Sequence, residues 1–435
     1  MFSKVSVSRV LSILLVVLLM SVNAIGVTPA RAASIITVNS TSDNITIDGA
    51  CTLREAIINA NADLDTTGGD CIAGSGNDTI IFDSSLGTGT ITLTSMLPVI
   101  TDDAGLTIDG DNRITLNGDD NVRVLYVGFA GMLTLQNIII THGSATQGGG
   151  LNNEGTVIIT HSAFSNNSVT GGSGGGVANA GGTATITNSA FSNNSATGDG
   201  GGVFNDGTLT IANSAFSNNS ATAGGGVLNN NGIATILNST FSGNSATNNG
   251  GGVTNSAGTL TITNSAFSNN NATGGGGVIN SSGTATILNS TFSGNSATYN
   301  GGGVFTWNGS GSPPTTTIRN TILANSAAGY DDCYNYEYGT AVLIGGNNII
   351  ETTSTCTSIA TLTGDPNLGS LTGSPAYFPL NAGSPAIDAG DDAVCAAAPV
   401  SNTSQNGLTR PQGAHCDIGS YEGVFFQIYL PLVVR

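Results

Sequence analysis

Beyond residue 32 the chain contains no lysine, and only six arginines (Arg54, Arg113, Arg123, Arg319, Arg410 and Arg435) stand against its 27 acidic residues, a formal charge of 6 − 27 = −21. Phosphate backbones and anionic membranes are held by clustered Lys and Arg, so nucleic acid and acidic bilayers are poor partners. Charged residues of both signs reach only 8% of the chain, which leaves an exterior almost without ions. Long apolar runs are missing too, apart from Val10 to Val22. That run falls short of the roughly 18 to 20 residues needed to span hydrocarbon. With Lys4 and Arg9 before it and Ala30-Arg31-Ala32 after it, the segment is expected to be an export signal cleaved after Ala32, with a retained anchor as the alternative. Helix-forming periodicity is absent from the repetitive middle of the chain, where Gly, Asn, Ser and Thr dominate, and this excludes a helical solenoid.

What is present is a repeat. The pattern N-S-[AT]-F-S-[NG]-N-[SN], with His161 in place of the first Asn in the first copy, carries its phenylalanine at Phe164, Phe191, Phe216, Phe241, Phe267 and Phe292, at spacings of 27, 25, 25, 26 and 25 residues. Between the copies lies GGGV or GGGL, with its apolar residue at Leu151, Val177, Val203, Val227, Val253, Val278 and Val304. Each unit also holds an alternating stretch such as TATIT at 183–187, whose Ala184 and Ile186 face one way and whose threonines face the other. A unit thus supplies three short strands and cannot bury its own apolar side chains. Stacked in register, Val203, Ile211 and Phe216 lie on Val227, Ile236 and Phe241, and a continuous core results. The predicted fold is all-β, a single-stranded right-handed parallel β-helix of about 25 residues per turn. Asparagines are expected at its corners, in one row at Asn188, Asn213, Asn238, Asn264 and Asn289 and another at Asn194, Asn219, Asn244, Asn270 and Asn295, where Asn tolerates left-handed backbone and amides can bond the amide stacked above.

Open ends of such a rod would pair with other chains unless covered. Thr52-Leu53-Arg54-Glu55 is a capping-box pattern, and Leu53, Ala56, Ile57 and Ala60 then share one face, which predicts a short amphipathic helix as an N-terminal lid. Six cysteines fall into three close pairs, Cys51 with Cys71, Cys333 with Cys356 and Cys395 with Cys416. They are candidate disulfides, although six cysteines permit 15 connectivities. Zinc ligation is disfavoured by the lack of C-x-x-C spacing. The expected organisation is a signal at 1–32, a cap with irregular first turns at 33–147, regular repeats at 148–326, C-terminal turns at 327–423 and an apolar tail at 424–435.

Three segments resemble known families. CTLREAIINANAD at 51–63 resembles the bacterial CSLREAI domain, with Thr in place of the usual Ser. The alternation of GGG[VL] with FSxN resembles the repeats of chlamydial polymorphic outer membrane proteins. GSPAIDAG at 383–390 with RPQGAHCDIGSYEG at 410–423 resembles the choice-of-anchor Q domain, although SQNGLTRP replaces the usual acidic-Gln-Arg-Gly step before RP. These resemblances imply an exported, surface-associated rod with adhesin-like behaviour and no particular reaction. The tail VFFQIYLPLVVR lacks a sortase motif and reads as a last core strand or a short recognition strand.

Chemistry has few bearers. Polysaccharide lyases need a cationic base, usually with calcium, and hydrolases need paired carboxylates. From Gly148 to Val304 the only acids are Glu154, Asp199 and Asp206, and Asp beside Gly is an ordinary turn former. His142 and His415 are isolated in sequence, and no histidine accompanies a GxSxG elbow. No catalytic residue is assigned. Calcium at the acidic turns (Asp102-Asp103, Asp109 to Asp111, Asp119-Asp120 and Asp388 to Asp392) is the one cofactor option, against solvated loops as the default. Outward threonines form two columns, 183, 208, 259, 284 and 185, 210, 235, 261, 286, broken in the first by Ile233. The expected function is a non-enzymatic adhesin-like or surface-structural element with glycans or cell-surface molecules as partners. Two alternatives stay open: a carbohydrate-active enzyme with its site around Trp307, the insert at 305–316 or Tyr330 to Tyr338, and an ice-binding protein acting through the Thr-x-Thr face.

Overall fold

The computed structural model describes residues 33–308, 313–326, 330–336 and 341–424. The expected export signal at 1–32 and the tail beyond Val424 therefore lie outside the described residues, as do parts of the 305–316 insert and Tyr338.

The N-terminal lid follows from its capping box. The Thr52 side chain accepts from the Glu55 amide, and the Glu55 carboxylate accepts from the Thr52 amide, starting helix α1 at Leu53–Ala62. The helix stops where Asp63 turns left-handed, at φ 50°. Its buried Leu53, Ala56, Ile57 and Ala60 join Ile36, Val38 and Ile80 in one apolar core, so the helix closes the end of the rod. A Cys51–Cys71 disulfide pins it, and the other two bridges are Cys333–Cys356 and Cys395–Cys416.

One coil shows how the rest is built. Val203–Asn205 is followed by Thr208–Ala212, Ala215–Ser217 and Ser220–Ala223, and the next coil begins at Val227. The three expected strands are all there, and Ser-Ala-Thr adds a fourth short one. They form three parallel sheets, because T-x-T-I and A-F-S belong to a single 22-stranded sheet bent between them. At that bend Asn188, Asn213, Asn238, Asn264 and Asn289 take φ between 46° and 50°, the left-handed region that Asn enters more readily than most residues. Between coils, Val203 pairs with Val227, Ile211 with Ile236 and Phe216 with Phe241.

The six phenylalanines are fully buried in one stack, with ring centroids 4.5–4.9 Å apart and planes within 8° of parallel. Isolated rings prefer offset or edge-on geometry. Here the strand spacing of about 4.8 Å sets the separation, and identical rotamers on identical backbone do the rest.

Polar side chains are buried with the apolar ones, and the Asn194 row is not at the corner. The neighbouring Asn193, Asn218, Gly243, Asn269 and Gly294 make that left-handed turn, while Asn167, Asn194, Asn219, Asn244, Asn270 and Asn295 point inward at 0–1% exposure. Each Nδ2 donates to the next Oδ1 at 2.9 Å, as from Asn194 to Asn219, and also to a carbonyl of the Phe strand. The Asn188 row, in turn, makes no amide ladder; Asn serves there for its left-handed backbone, and in Asn264 and Asn289 also as a donor to the C-terminal segment. A second buried ladder runs through Asn153, Asn179, Asn205, Asn229, Asn255 and Asn280 at 2.7–2.8 Å. Because the amides inside these rows both donate to and accept from their neighbours, with the Asn153 oxygen at the start of the second row left unpaired, the penalty for burying them is largely cancelled.

Within the C-terminal turns, Cys333, Val342 and Ile349 still stack on Val304, Thr315 and Ile322, whereas the strap at 374–423 leaves the stack and folds back along the bend in the large sheet. Asp391 and Asn320 exchange hydrogen bonds, Asn264 donates to the Thr403 carbonyl, and Gln405 donates to the Ser239 carbonyl. Gly419 (φ 102°) lies so close that a Cβ would sit 2.7 Å from the Thr291 hydroxyl. The strap is locked by Arg410, whose guanidinium is wholly buried and donates to the carbonyls of Thr403, Asp417 and Gly419 and to Glu422.

Candidate functional site

The titratable groups are scattered. Asp199 and Asp206 stand at the two corners flanking Val203–Asn205. Burial raises the carboxyl of Asp199 above the ordinary range, partly opposed by the Ala223 amide, whereas Asp206 is exposed. His161 adopts the same left-handed corner as Asn188, with its Nδ1 2.9 Å from the Thr160 hydroxyl. His142 is not isolated but holds the second corner in the same manner, 2.9 Å from Thr141. Nor is His415: its Nδ1 lies 2.8 Å from Asp392, whose hydrogen bond raises the imidazole pKa. Carboxylates of the acidic turns bond nearby amides, Asp102 accepting from the Ala104 backbone through one oxygen and Asp109 from Gln136 and Asn137 of the next coil. Among the described residues no group of three or more His, Cys, Asp or Glu is placed to hold a metal ion.

The neutral surfaces are organised. Thr183, Thr208, Ile233, Thr259 and Thr284 pair in one column, and Thr185, Thr210, Thr235, Thr261 and Thr286 in the next, each column continued by Thr315 or Thr317. On the Ser-Ala-Thr sheet an open trough of about 650 Å³ is lined by residues such as Ser220, Ala221, Thr222 and Thr247, with no charge among its walls. Along the bend in the large sheet, where the strap leaves it uncovered, lies a groove of about 480 Å³ walled by Asn137, His161, Asn188, Asn213, Ala190 and Pro375.

At its C-terminal end the trough meets a cleft of about 310 Å³ lined by Tyr299, Phe305, Trp307 and Tyr336 with Asn249, Thr273 and Asn300. Trp307 and Tyr336 are thereby drawn into one neighbourhood, and the Phe305 and Tyr334 rings meet edge to face at 5.8 Å, whereas Tyr330 is not among the lining residues. Tyr299 escapes notice in the sequence, yet a signal for it exists. SATNNGGGVTNS at 245–256 becomes SATYNGGGVFTW at 296–307, so the polar Asn248, Thr254 and Ser256 of one unit are replaced by Tyr299, Phe305 and Trp307 in the other.

The right-handed β-helix region family matches residues 160–323. Among solved structures, pectate lyase Pel9A is similar at 17% identity with a TM-score of 0.46, over 89% of this chain and 96% of that one. No curated protein matches the chain. No helix among the described residues is long and apolar enough to cross a membrane.

Proposed function

We propose that the chain is an exported, cell-surface or secreted protein that works without catalysis, as an adhesin-like rod engaging glycans or other surface molecules through uncharged faces. The observation that carries this reading is the register of its outer columns: threonines pair with threonines from coil to coil, and the adjoining trough repeats Ser, Ala and Thr without an ion. Hydroxyls and amides spaced about 4.8 Å apart form many weak hydrogen bonds to another polyhydroxylated surface, and affinity then accumulates by multivalency. The resemblances to the CSLREAI, polymorphic outer membrane protein and choice-of-anchor Q families agree with this reading. On this reading helix α1 is the lid of an exported rod and the strap a surface-associated module.

A glycan array probed with the mature protein tests it. Retention on glycans with no new reducing ends or unsaturated uronates is the expected result. Liberation of either product would establish the carbohydrate-active enzyme alternative instead. The aligned threonines also favour a second reading, adsorption to ice, which a thermal-hysteresis measurement giving zero would end.

A further inference from the structure

We infer that the cleft of Tyr299, Phe305, Trp307 and Tyr336 is a binding site for a pyranose ring of a neutral glycan. The inference rests on the glycan-binding reading above and names the place and the class of sugar.

Three observations support it. The first is that two of the aromatics depart from the repeat. Positions that are Asn248 and Ser256 two coils earlier become Tyr299 and Trp307 within a single unit, beside Phe305 in a column that also carries Phe204, Leu228 and Ile279. The second is that the cleft is shaped and held. Gly274 pairs with Asn249 on one side and Asn300 on the other, and where both neighbours carry an amide side chain it carries none. The gap left there is overlain by Phe305, whose ring would lie 3.1 Å from a Cβ at Gly274. Phe305 is 8% exposed and braced by Tyr334, whereas Tyr299 at the rim is 70% exposed, a large aromatic face left to water. The third is the chemistry of the walls. Aromatic faces are combined with the amides of Asn249 and Asn300 and the Thr273 hydroxyl, and among the described residues no Asp, Glu, Lys or Arg lines the cleft.

A ligand suited to that mixture has an apolar face, an edge of hydroxyl groups and no charge. A pyranose offers axial C–H bonds to stack on Tyr299 or Trp307, and equatorial hydroxyls for the amides to donate to and accept from. An anionic sugar would meet no cation here, and the chain's formal charge would repel it.

Trp307 is the only tryptophan in the chain, so its emission reports on this cleft alone. The test titrates the mature protein with cellohexaose, xylohexaose and mannohexaose, with hexagalacturonate as the anionic comparison, and follows Trp307 fluorescence. At least one neutral oligosaccharide is expected to shift the emission saturably at millimolar concentration or below. Tyr299→Ala, a change at an exposed rim that should leave the melting curve unaltered, is expected to weaken that binding about tenfold, in line with the loss of one stacking partner. Trp307→Phe keeps an aromatic face and should retain binding by calorimetry. Glycan retention on the array without any change in Trp307 emission would leave the adhesin reading standing and overturn this site. Hexagalacturonate binding more tightly than the neutral sugars, or binding indifferent to Tyr299→Ala, would overturn it as well.

Discussion

The buried asparagine ladder can be tested with a substitution that changes almost no volume. Asn219 accepts from the backbone amide of Asn194 at 3.0 Å and from its Nδ2 at 2.9 Å, and it donates to Asn244 Oδ1 at 2.9 Å and to the Phe191 carbonyl at 3.0 Å. Asn219→Asp preserves the shape and both acceptor roles but removes both donors. A carboxylate oxygen then faces the Phe191 carbonyl and the Asn244 Oδ1, the latter keeping only the Asn219 backbone amide as a donor. Each buried group left unpaired costs about 1–3 kcal/mol. The two remaining donors recover part of that by bonding an ionised acceptor. A net loss of about 3 kcal/mol at pH 7 follows from the larger, unpaired side of this balance.

The pH dependence has a definite sign. Burial without a cation lifts the folded-state pKa of the new carboxyl above its unfolded value of about 3.9. The variant is therefore nearest to the parent protein below that value, where a protonated carboxyl can still donate once, and its deficit grows as pH rises through the folded pKa. Asn218→Asp is the control: the same chemical change one residue earlier, at an exposed left-handed corner with φ 56° that Asp also tolerates, should alter stability by less than about 0.5 kcal/mol. Guanidinium denaturation of the three proteins at pH 4 and pH 7 decides the matter. A loss at Asn219 no larger than at Asn218, or one independent of pH, would refute the ladder as a set of obligatory donors.

Other expectations concern the stack, the strap and one surface pair. Phe241→Ala, in the middle of the ring column, removes a fully buried side chain and should destabilise the rod by about 3–5 kcal/mol in the same denaturation assay; a loss under about 1 kcal/mol would show that the coils reclose around the gap. Arg410→Met leaves Glu422 buried beside no cation, with an expected loss of about 3–5 kcal/mol, and limited thermolysin digestion should then cut within residues 374–423 before it cuts the repeats. His415 should titrate above the ordinary value of about 6.5 by nuclear magnetic resonance, and a midpoint at or below that value would dissolve the pair with Asp392, whose own pKa that contact lowers. What the pair adds is present between the ordinary Asp and His values. It is lost as pH climbs through the raised histidine pKa, and again as pH falls through the lowered aspartate pKa.

Which parts of the molecule were readable in advance depends on how often each signal is repeated. Phe164 through Phe292 mark an inward column because six copies at nearly constant spacing leave little freedom, and α1 is legible because Thr52 and Glu55 occupy both halves of a cap. The Ser-Ala-Thr strand is not legible. Its apolar content is one alanine, and the coils there approach through glycine rather than through bulky side chains, as where a Cβ on Gly201 would lie 2.5 Å from the Ser220 carbonyl. The ladder through Asn179 and Asn205 was present as V-x-N after the glycines, but a polar residue next to a turn reads as surface until its partners are seen. Long-range contacts such as Gln405 to Ser239 leave no periodic trace, so the strap's course could not be anticipated. At the cleft, Trp307 is conspicuous alone, whereas Tyr299 becomes informative only when one unit is aligned on another.

The strap also bears on how such a gene can grow or shrink. It holds the coil of Ser239 through Gln405 and the coil of Asn320 through Asp391, and so acts as a caliper with a fixed opening. Duplicating one unit upstream, between Asn153 and Ser214, would lengthen the molecule by about 4.8 Å and leave both jaws on their marks. The identical duplication between Thr240 and Asn320 would pull one jaw off. Lineages descended from this sequence are therefore expected to vary in coil number on one side of the caliper and to keep a constant count within it.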